Sequence, residues 1–378
     1  MEYGHLKVSV SSLFYVDSLD LLLVGSGGHV ELIDVTTMKM LQKLPIFKDT
    51  SHTPHGFVQV AKNDQSIKFI VYGGKFIRSI LLNVKDKTIC ECVSGRYQFC
   101  DWILDVCVWR EDIYAITAHN EVIRLVSNHD KTEETKEIIL KPDEKCILYS
   151  ACLVSDADEL VVLGGTVFRQ VIVYACTGSE NPNVSHRLNG HEGVIFSVKY
   201  HDESNLICST SDDRTARLWK VEKPSCSASW NEREINPTHV LSNGHTSRVF
   251  RCLFLSKSQV ITGGEDSKLR LWNTQTGECL ASWKAHDGSP IWSLAHSRNS
   301  SHVITGKYFI EFDWYHRYHR DKTQCRKNCQ IQELRENPRS FGLLQGTPRS
   351  SQELRNSIEY NKTLLRDPIC KKLNLLEN

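Results

Sequence analysis

A chain of 378 residues with 40% hydrophobic residues, 24% charged residues and a formal net charge of +1 is long enough for one large or two ordinary domains and has the composition of a globular protein. That balance excludes a disordered, collagen-like or highly charged chain. The longest apolar runs, such as Leu21 to Val24, fall far short of the roughly 18 residues of a membrane span, and the N-terminus has no basic-then-apolar leader, so the expectation is a cytoplasmic protein with no membrane anchor.

In chain order, short apolar runs broken by paired glycines recur at Val24 to Gly28, Val71 to Gly74, Leu163 to Gly165 and Ile261 to Gly264. Their second glycines are spaced by one, two and two steps of roughly 45 to 50 residues, a repeat length in or just above the range of propeller blades. Two intermediate steps lack the pair and carry Ala115 to Asn120 and Ser209 to Asp213 instead. Alternation of Val30 with Leu32, and of Leu269 with Leu271, predicts antiparallel hairpins, each unit reading strand, tight turn, strand. Glycine supplies positive φ at such turns. Gly25 to Gly28, with Asp34 or Asp49 downstream, invites a dinucleotide-binding reading, which fails because the fingerprint needs a glycine at Val30 and a helix after it.

Residues 188–273 carry two units that match in detail. One runs from Gly190-His191 through Val194 to Val198 and Ser209 to Asp213, ending on Arg217-Leu218-Trp219; the other runs from Gly244-His245 through Val249-Phe250 and Thr262 to Asp266, ending on Leu269 to Trp272. This pattern resembles the WD-repeat family. The resemblance implies two hydrogen-bonded structural tetrads, His191, Ser209, Asp213, Trp219 and His245, Thr262, Asp266, Trp272, which satisfy buried polar groups that would otherwise be costly. The same His, Ser and Asp could spell nucleophilic catalysis, but an active site is needed once and this trio recurs in successive units. With no G-x-S-x-G elbow, Walker loop, H-E-x-x-H or kinase signature in the chain, the protein is read as no enzyme, with no catalytic residue and no cofactor.

A seventh unit begins at Ala285-His286 and Ile291 to Leu294 and reaches Val303 to Gly306, then loses register. Residues 307–378 hold 14 Lys and Arg against 9 Asp and Glu, a net +5, leaving −4 on residues 1–306. The expectation is an all-β, seven-bladed WD-repeat β-propeller over 1–306, with six full blades and half of a seventh, and a divergent basic tail over 307–378, irregular or partly helical around Ser350 to Asp367. So abrupt a change favours an alternative or mis-spliced 3′ end over a functional tail. Fourteen cysteines lie singly, fitting free thiols in a reducing compartment. His316, His319, Cys325 and Cys329 could be drawn as zinc ligands, but their spacing fits a zinc site loosely and no metal is expected.

Three further segments, Gln98 to Asp105, Glu144 to Leu153 and Gly165 to Gln170, together with Gly190 to Ser197, are similar to the WD repeat-containing protein 6 family. That likeness implies a non-catalytic scaffold that partners an FtsJ-type 2′-O-methyltransferase acting on the tRNA wobble nucleotide, position 34, with tRNA reached indirectly through the complex. It also implies that the chain corresponds to the first of several propellers. The residues alone leave open a general adaptor, such as a ubiquitin-ligase substrate receptor or signalling scaffold, or a truncated non-functional fragment. Neither membrane nor DNA is expected as a partner. No run of basic residues interleaved with aromatics marks a nucleic-acid footprint; Lys75, Arg78, Arg124, Arg169 and Arg248 are scattered charges that read as solvated surface.

Overall fold

The computed structural model describes residues 10–48, 52–92, 94–126, 135–140, 146–155, 159–176, 184–221, 233–286, 288–298, 302–307 and 330–333, all within one compact unit, Met1–Leu334. Among them the regular structure is strand, apart from one 3-10 turn at Asp202–Ser204. The strands make six sheets of four or five strands and a seventh of three. The described residues are therefore all-β.

Blade 1 shows why the sequence folds this way. Its second strand, Leu21–Ser26, is buried along its whole length, whereas the first, Val10–Val16, alternates over part of its length and the fourth, Lys39–Pro45, is mostly exposed. A strand covered on both faces by neighbouring sheets can be continuously apolar, while an outermost strand faces water and is polar. These polar outer strands are absent from the strand, turn, strand reading of each unit, because they carry almost no apolar periodicity.

Turns between second and third strands need positive φ, which Gly27 (56°) and Gly74 (55°) provide. In blades 3 to 6 the equivalent conformation is held by Asn120, Arg169, Arg214 and Ser267, with φ of 64°, 71°, 68° and 61°. The pairs Gly164-Gly165 and Gly263-Gly264 were expected at turns but lie inside Leu160–Thr166 and Gln259–Gly264. There the missing side chain makes room: a methyl on Gly263 would stand 2.7 Å from Ile291 Cγ2 of the next blade.

The first strands of the seven sheets are Val10–Val16, Gly56–Lys62, Ile103–Trp109, Leu148–Ser155, Ile195–His201, Val249–Ser256 and Ile291–His296. Each packs beside the next, and the last packs beside the first, so they form the inner layer of a closed ring. Apolar clusters fill every gap between successive sheets. Closure between the seventh and first sheets rests on Ala295 and Ile304 against Val10, Tyr15, Leu22 and Val24. It also rests on Asp17, which accepts hydrogen bonds from Ser297 Oγ and the Arg298 amide, each at 2.8 Å.

Six sheets form complete blades, and the sheet in the seventh place, expected as half a blade, has three strands. The partial sheet does not stop at its second strand. His302–Lys307 pairs antiparallel with Gln330–Glu333, with Ile304 opposite Ile331. A second departure joins blades 4 and 5: Arg233–Ile235 adds parallel to the outer edge of blade 4, while blade 5 takes His239–Leu241 as its own fourth strand. The helix expected around Ser350 to Asp367 and the set His316, His319, Cys325 and Cys329 lie outside the described residues.

Candidate functional site

The eight residues singled out as tetrads fall into two hydrogen-bonded chains. In blade 5, Trp219 Nε1 donates to Ser209 Oγ at 2.8 Å, Ser209 Oγ lies 2.8 Å from His191 Nε2, and His191 Nδ1 lies 2.7 Å from Asp213 Oδ2. Blade 6 repeats the arrangement. Trp272 Nε1 donates to Thr262 Oγ1 at 2.8 Å, which lies 2.8 Å from His245 Nε2, and His245 Nδ1 lies 3.0 Å from Asp266 Oδ1. The carboxylates are also fed by backbone amides, Glu192 and Thr215 on Asp213, Thr246 and Lys268 on Asp266. Each chain therefore ties the loop before the inner strand to the turn after the second strand.

This chemistry is structural. With the indole N–H donating to the hydroxyl oxygen, the hydroxyl hydrogen is directed to Nε2 and the Nδ1 hydrogen to the carboxylate, so each donor has an acceptor. Ser209 and Thr262 are fully buried and their oxygens already accept from an indole, so neither presents a nucleophile to a substrate. Burial lowers the His191 and His245 pKa values, opposed by the hydrogen bonds the two rings donate to Asp213 and Asp266. Desolvation pushes the Asp213 and Asp266 carboxyls up, but hydrogen bonds from the paired histidines and the neighbouring amides outweigh it and hold both below the ordinary carboxylate range. In the seventh sheet His286 Nε2 meets Thr305 Oγ1 at 3.0 Å.

Other blades reach the same end differently. In blade 3 the pair is reversed, with Asp101 before the inner strand and His119 on the turn, 2.8 Å apart. Blade 4 places Tyr174 where blades 5 and 6 have tryptophan, and its hydroxyl bonds to Asn120 of blade 3.

The inner layer carries a second constellation that the sequence reading did not single out. Tyr72 Oη of blade 2 donates to Asp105 Oδ1 of blade 3 at 2.9 Å, and the Leu153 amide of blade 4 donates to Asp105 Oδ2 at 2.8 Å. Burial raises the Asp105 pKa, opposed first by Lys199 of blade 5 and then by these hydrogen bonds. Arg251 of blade 6 influences His55 and Tyr72 of blade 2 as well as Lys199. Tyr72, Asp105 and Leu153, from blades 2, 3 and 4, thus meet in the inner layer. An acid in the apolar run Ile103 to Trp109 was the available sequence signal for this cluster.

Inner strands of five complete blades and the seventh sheet begin with a register shift, located between Val10 and Ser12, Ile103 and Asp105, Leu148 and Ser150, Ile195 and Ser197, Val249 and Arg251, and Ile291 and Ser293. Bulges of this kind re-aim a side chain. In four consecutive sheets the residue inside the shift is aromatic, Tyr149, Phe196, Phe250 and Trp292, and their rings touch in sequence at 5.2, 5.2 and 4.8 Å between centroids. Four of the five scattered basic residues are engaged within the chain. Lys75 donates to the Cys100 carbonyl, Arg78 lies 3.7 Å from Glu91, Arg124 bonds Asp112, and Arg248 lies 2.6 Å from Asp212; Arg169 holds a turn. The ten described cysteines are free thiols, and no group of metal-ligating side chains occurs among the described residues.

Comparison with known proteins agrees with this architecture. The family model described as WD domain, G-beta repeat matches residues 182–220, 235–273 and 277–308. The cattle and human proteins named tRNA (34-2′-O)-methyltransferase regulator WDR6 are each 30% identical over 290 residues, 74% of this chain and 24% of theirs. The Drosophila melanogaster protein of the same name is 30% identical over 188 residues, 47% of this chain and 18% of its own. The chain spans about a quarter of the length of the mammalian relatives it matches.

Proposed function

This chain is a WD-repeat β-propeller of the WDR6 family, a premise from which we propose that it acts in the cytoplasm as a scaffold that binds an FtsJ-type 2′-O-methyltransferase and promotes methylation of the tRNA wobble nucleotide, position 34. It performs no chemistry itself. The observation that carries this reading is the likeness over 74% of the chain to proteins named tRNA (34-2′-O)-methyltransferase regulator. The use of both His-Asp-Ser/Thr-Trp sets as loop locks accords with it, since a scaffold needs rigid loops and no nucleophile. A scaffold helps a bimolecular step by holding enzyme and substrate in one orientation, an effect that can reach several kcal/mol.

Under this reading the enzyme supplies the larger share of the phosphate contacts. Residues 1–306 carry a net −4, and Lys75, Arg78, Arg124 and Arg248 are engaged within the chain. Reconstitution tests the proposal. The full chain is mixed with an FtsJ-type methyltransferase and unmodified tRNA, and complex formation and position-34 2′-O-methylation are measured. Co-elution with faster methylation is expected; an enzyme that neither binds the chain nor responds to it overturns the reading.

A further inference from the structure

The chain contains the dipeptide Asn-Gly twice, at Asn189-Gly190 and at Asn243-Gly244, each directly before the histidine of a polar lock. An asparagine followed by glycine can react with itself. The glycine amide nitrogen reaches the side-chain Cγ and closes a five-membered ring, and the absent side chain removes the steric block that other residues impose. In a folded chain the ring forms only if the asparagine side chain and the second amide are free to meet.

At the first site neither group is tied. Asn189 Oδ1 is buried with no hydrogen-bond partner, and no hydrogen bond holds the Gly190 N–H among the described residues. Gly190 is exposed, with φ of 146°. At the second site the glycine is engaged on both sides. Its N–H donates to the Ser242 carbonyl at 2.9 Å, and its own carbonyl accepts from Arg270 Nη2. Asn243 is the more exposed of the two asparagines, so what separates the sites is the glycine amide. An amide hydrogen shared with a carbonyl is given up to solvent base less readily, and a peptide pinned at both ends swings less toward the Cγ.

The fold also retains the reactive glycine and suits the product. A methyl group on Gly190 would run into Arg217 Nη1, so a larger residue fits there only if Arg217 moves. Arg217 Nε is buried without a hydrogen-bond partner, and the nearest printed carboxylate, Asp213, stands 3.8 Å from Nη2 of the same side chain. A carboxylate formed at residue 189 would arise beside a cation with donors to spare, and a nearby opposite charge favours the ionised form.

We propose that Asn189 is a self-modification site, at which the folded chain converts asparagine to aspartate and isoaspartate while the matching Asn243 is held back. The Gly190 amide gives its proton to solvent base, its nitrogen bonds to Asn189 Cγ, and the Cγ–Nδ2 bond breaks as ammonia leaves, closing a succinimide. Water then opens the ring. Opening at Cγ leaves aspartate on an unchanged backbone; opening at the main-chain carbonyl leaves isoaspartate, with the backbone one atom longer through Cβ and Cγ. The longer form displaces His191 from the strand His186–Leu188 that leads to it and so loosens the 2.7 Å contact with Asp213. Isoaspartyl carboxylates are the chemistry on which protein carboxyl methyltransferases using S-adenosylmethionine act, and an enzyme of that class is the partner this site implies. The inference goes beyond the scaffold reading and does not depend on it.

The test ages the full-length protein at neutral pH and physiological temperature, native and in urea, with samples digested at intervals under mildly acidic conditions. Mass spectrometry reads the gain of about one dalton at each Asn-Gly peptide, and electron-based fragmentation separates isoaspartate from aspartate. In the native chain Asn189 is expected to convert about tenfold faster than Asn243, the ratio that one retained amide hydrogen bond can impose. In urea the two rates should converge. A purified isoaspartyl carboxyl methyltransferase with labelled S-adenosylmethionine should label the aged protein, and Asn189→Gln, whose longer side chain closes a ring poorly, should lose most of that label. Amide exchange should quicken on ageing in blade 5 but not in blade 6, and Asn189→Gln should show no such change. Thermal melts establish that the variant is folded, and the rates at the two sites of the unsubstituted chain provide the test if it is not. Equal native rates, faster conversion at Asn243, a difference that persists in urea, or label retained by Asn189→Gln overturns the proposal.

Discussion

Ser209 and Thr262 each stand between an indole and an imidazole, one oxygen serving both. Ser209→Ala would strand the Trp219 N–H and His191 Nε2 in a buried place, a loss of about 1–3 kcal/mol on the usual scale for an unsatisfied buried group; denaturant unfolding measures it, and an unchanged midpoint would contradict the locking role. Acid should act on the same sets. His191 and His245 titrate below their ordinary value of 6.5 in the fold because they are buried, so the unfolded chain binds protons first as pH falls. Stability from them is complete above about pH 6.5 and is lost below it; Asp213 and Asp266, held below their ordinary 3.8, add a further loss in stronger acid. A melting temperature that stays level from pH 7.5 to 6.8 and then declines toward pH 4 is expected, and one that rises on acidification would reverse the assignment.

The elements differ sharply in how much stability each holds. Leu23 is fully buried in a second strand and belongs to the apolar cluster between blades 1 and 2, whereas Leu41 on the fourth strand of the same sheet is 41% exposed. Leu23→Ala is expected to cost about 2–5 kcal/mol and Leu41→Ala within about 0.5 kcal/mol, both read from urea midpoints. That gradient also explains what could be read from sequence. Second and third strands were legible, since Leu21 to Val24 or Val260 to Thr262 announce burial in their composition. Fourth strands such as Lys39–Pro45 and Cys279–Lys284 were not, because a half-solvated edge needs little apolar pattern. The tetrads could be read because their spacing is fixed by one hairpin. Tyr72, Asp105 and Leu153 could not, since their meeting depends on how three separate blades stack. Phe196, Phe250 and Trp292 occupied one repeated position in plain view, yet only the bulges show where that position points.

At the level of the ring, closure depends on a small junction. Asp17 bonds Ser297 and the Arg298 amide, and Gly306 leaves room for Val10, where a methyl group would collide with both Val10 and Ser293. Asp17→Ala is expected to speed amide exchange in the first and seventh sheets ahead of blades 3 to 5, as measured by mass spectrometry; uniform exchange throughout would show that the junction does not hold the ring. Gly306→Ala should destabilise by overpacking, about 1–3 kcal/mol. Blades 5 and 6, with complete polar locks, should exchange last.

Asp17 and Ser297 lie 280 residues apart in the chain, and that separation sets a clock on biosynthesis. At about 5–20 residues per second, the ribosome needs roughly fifteen to sixty seconds after making Asp17 to deliver its closing partner. Throughout that interval the flank of the first blade that will receive Ala295 and Ile304 has no partner sheet. Nascent-chain chaperones should therefore be in demand on this polypeptide until the seventh sheet has been made, and slowed elongation just before that sheet should lower its soluble yield more than slowing within an earlier blade.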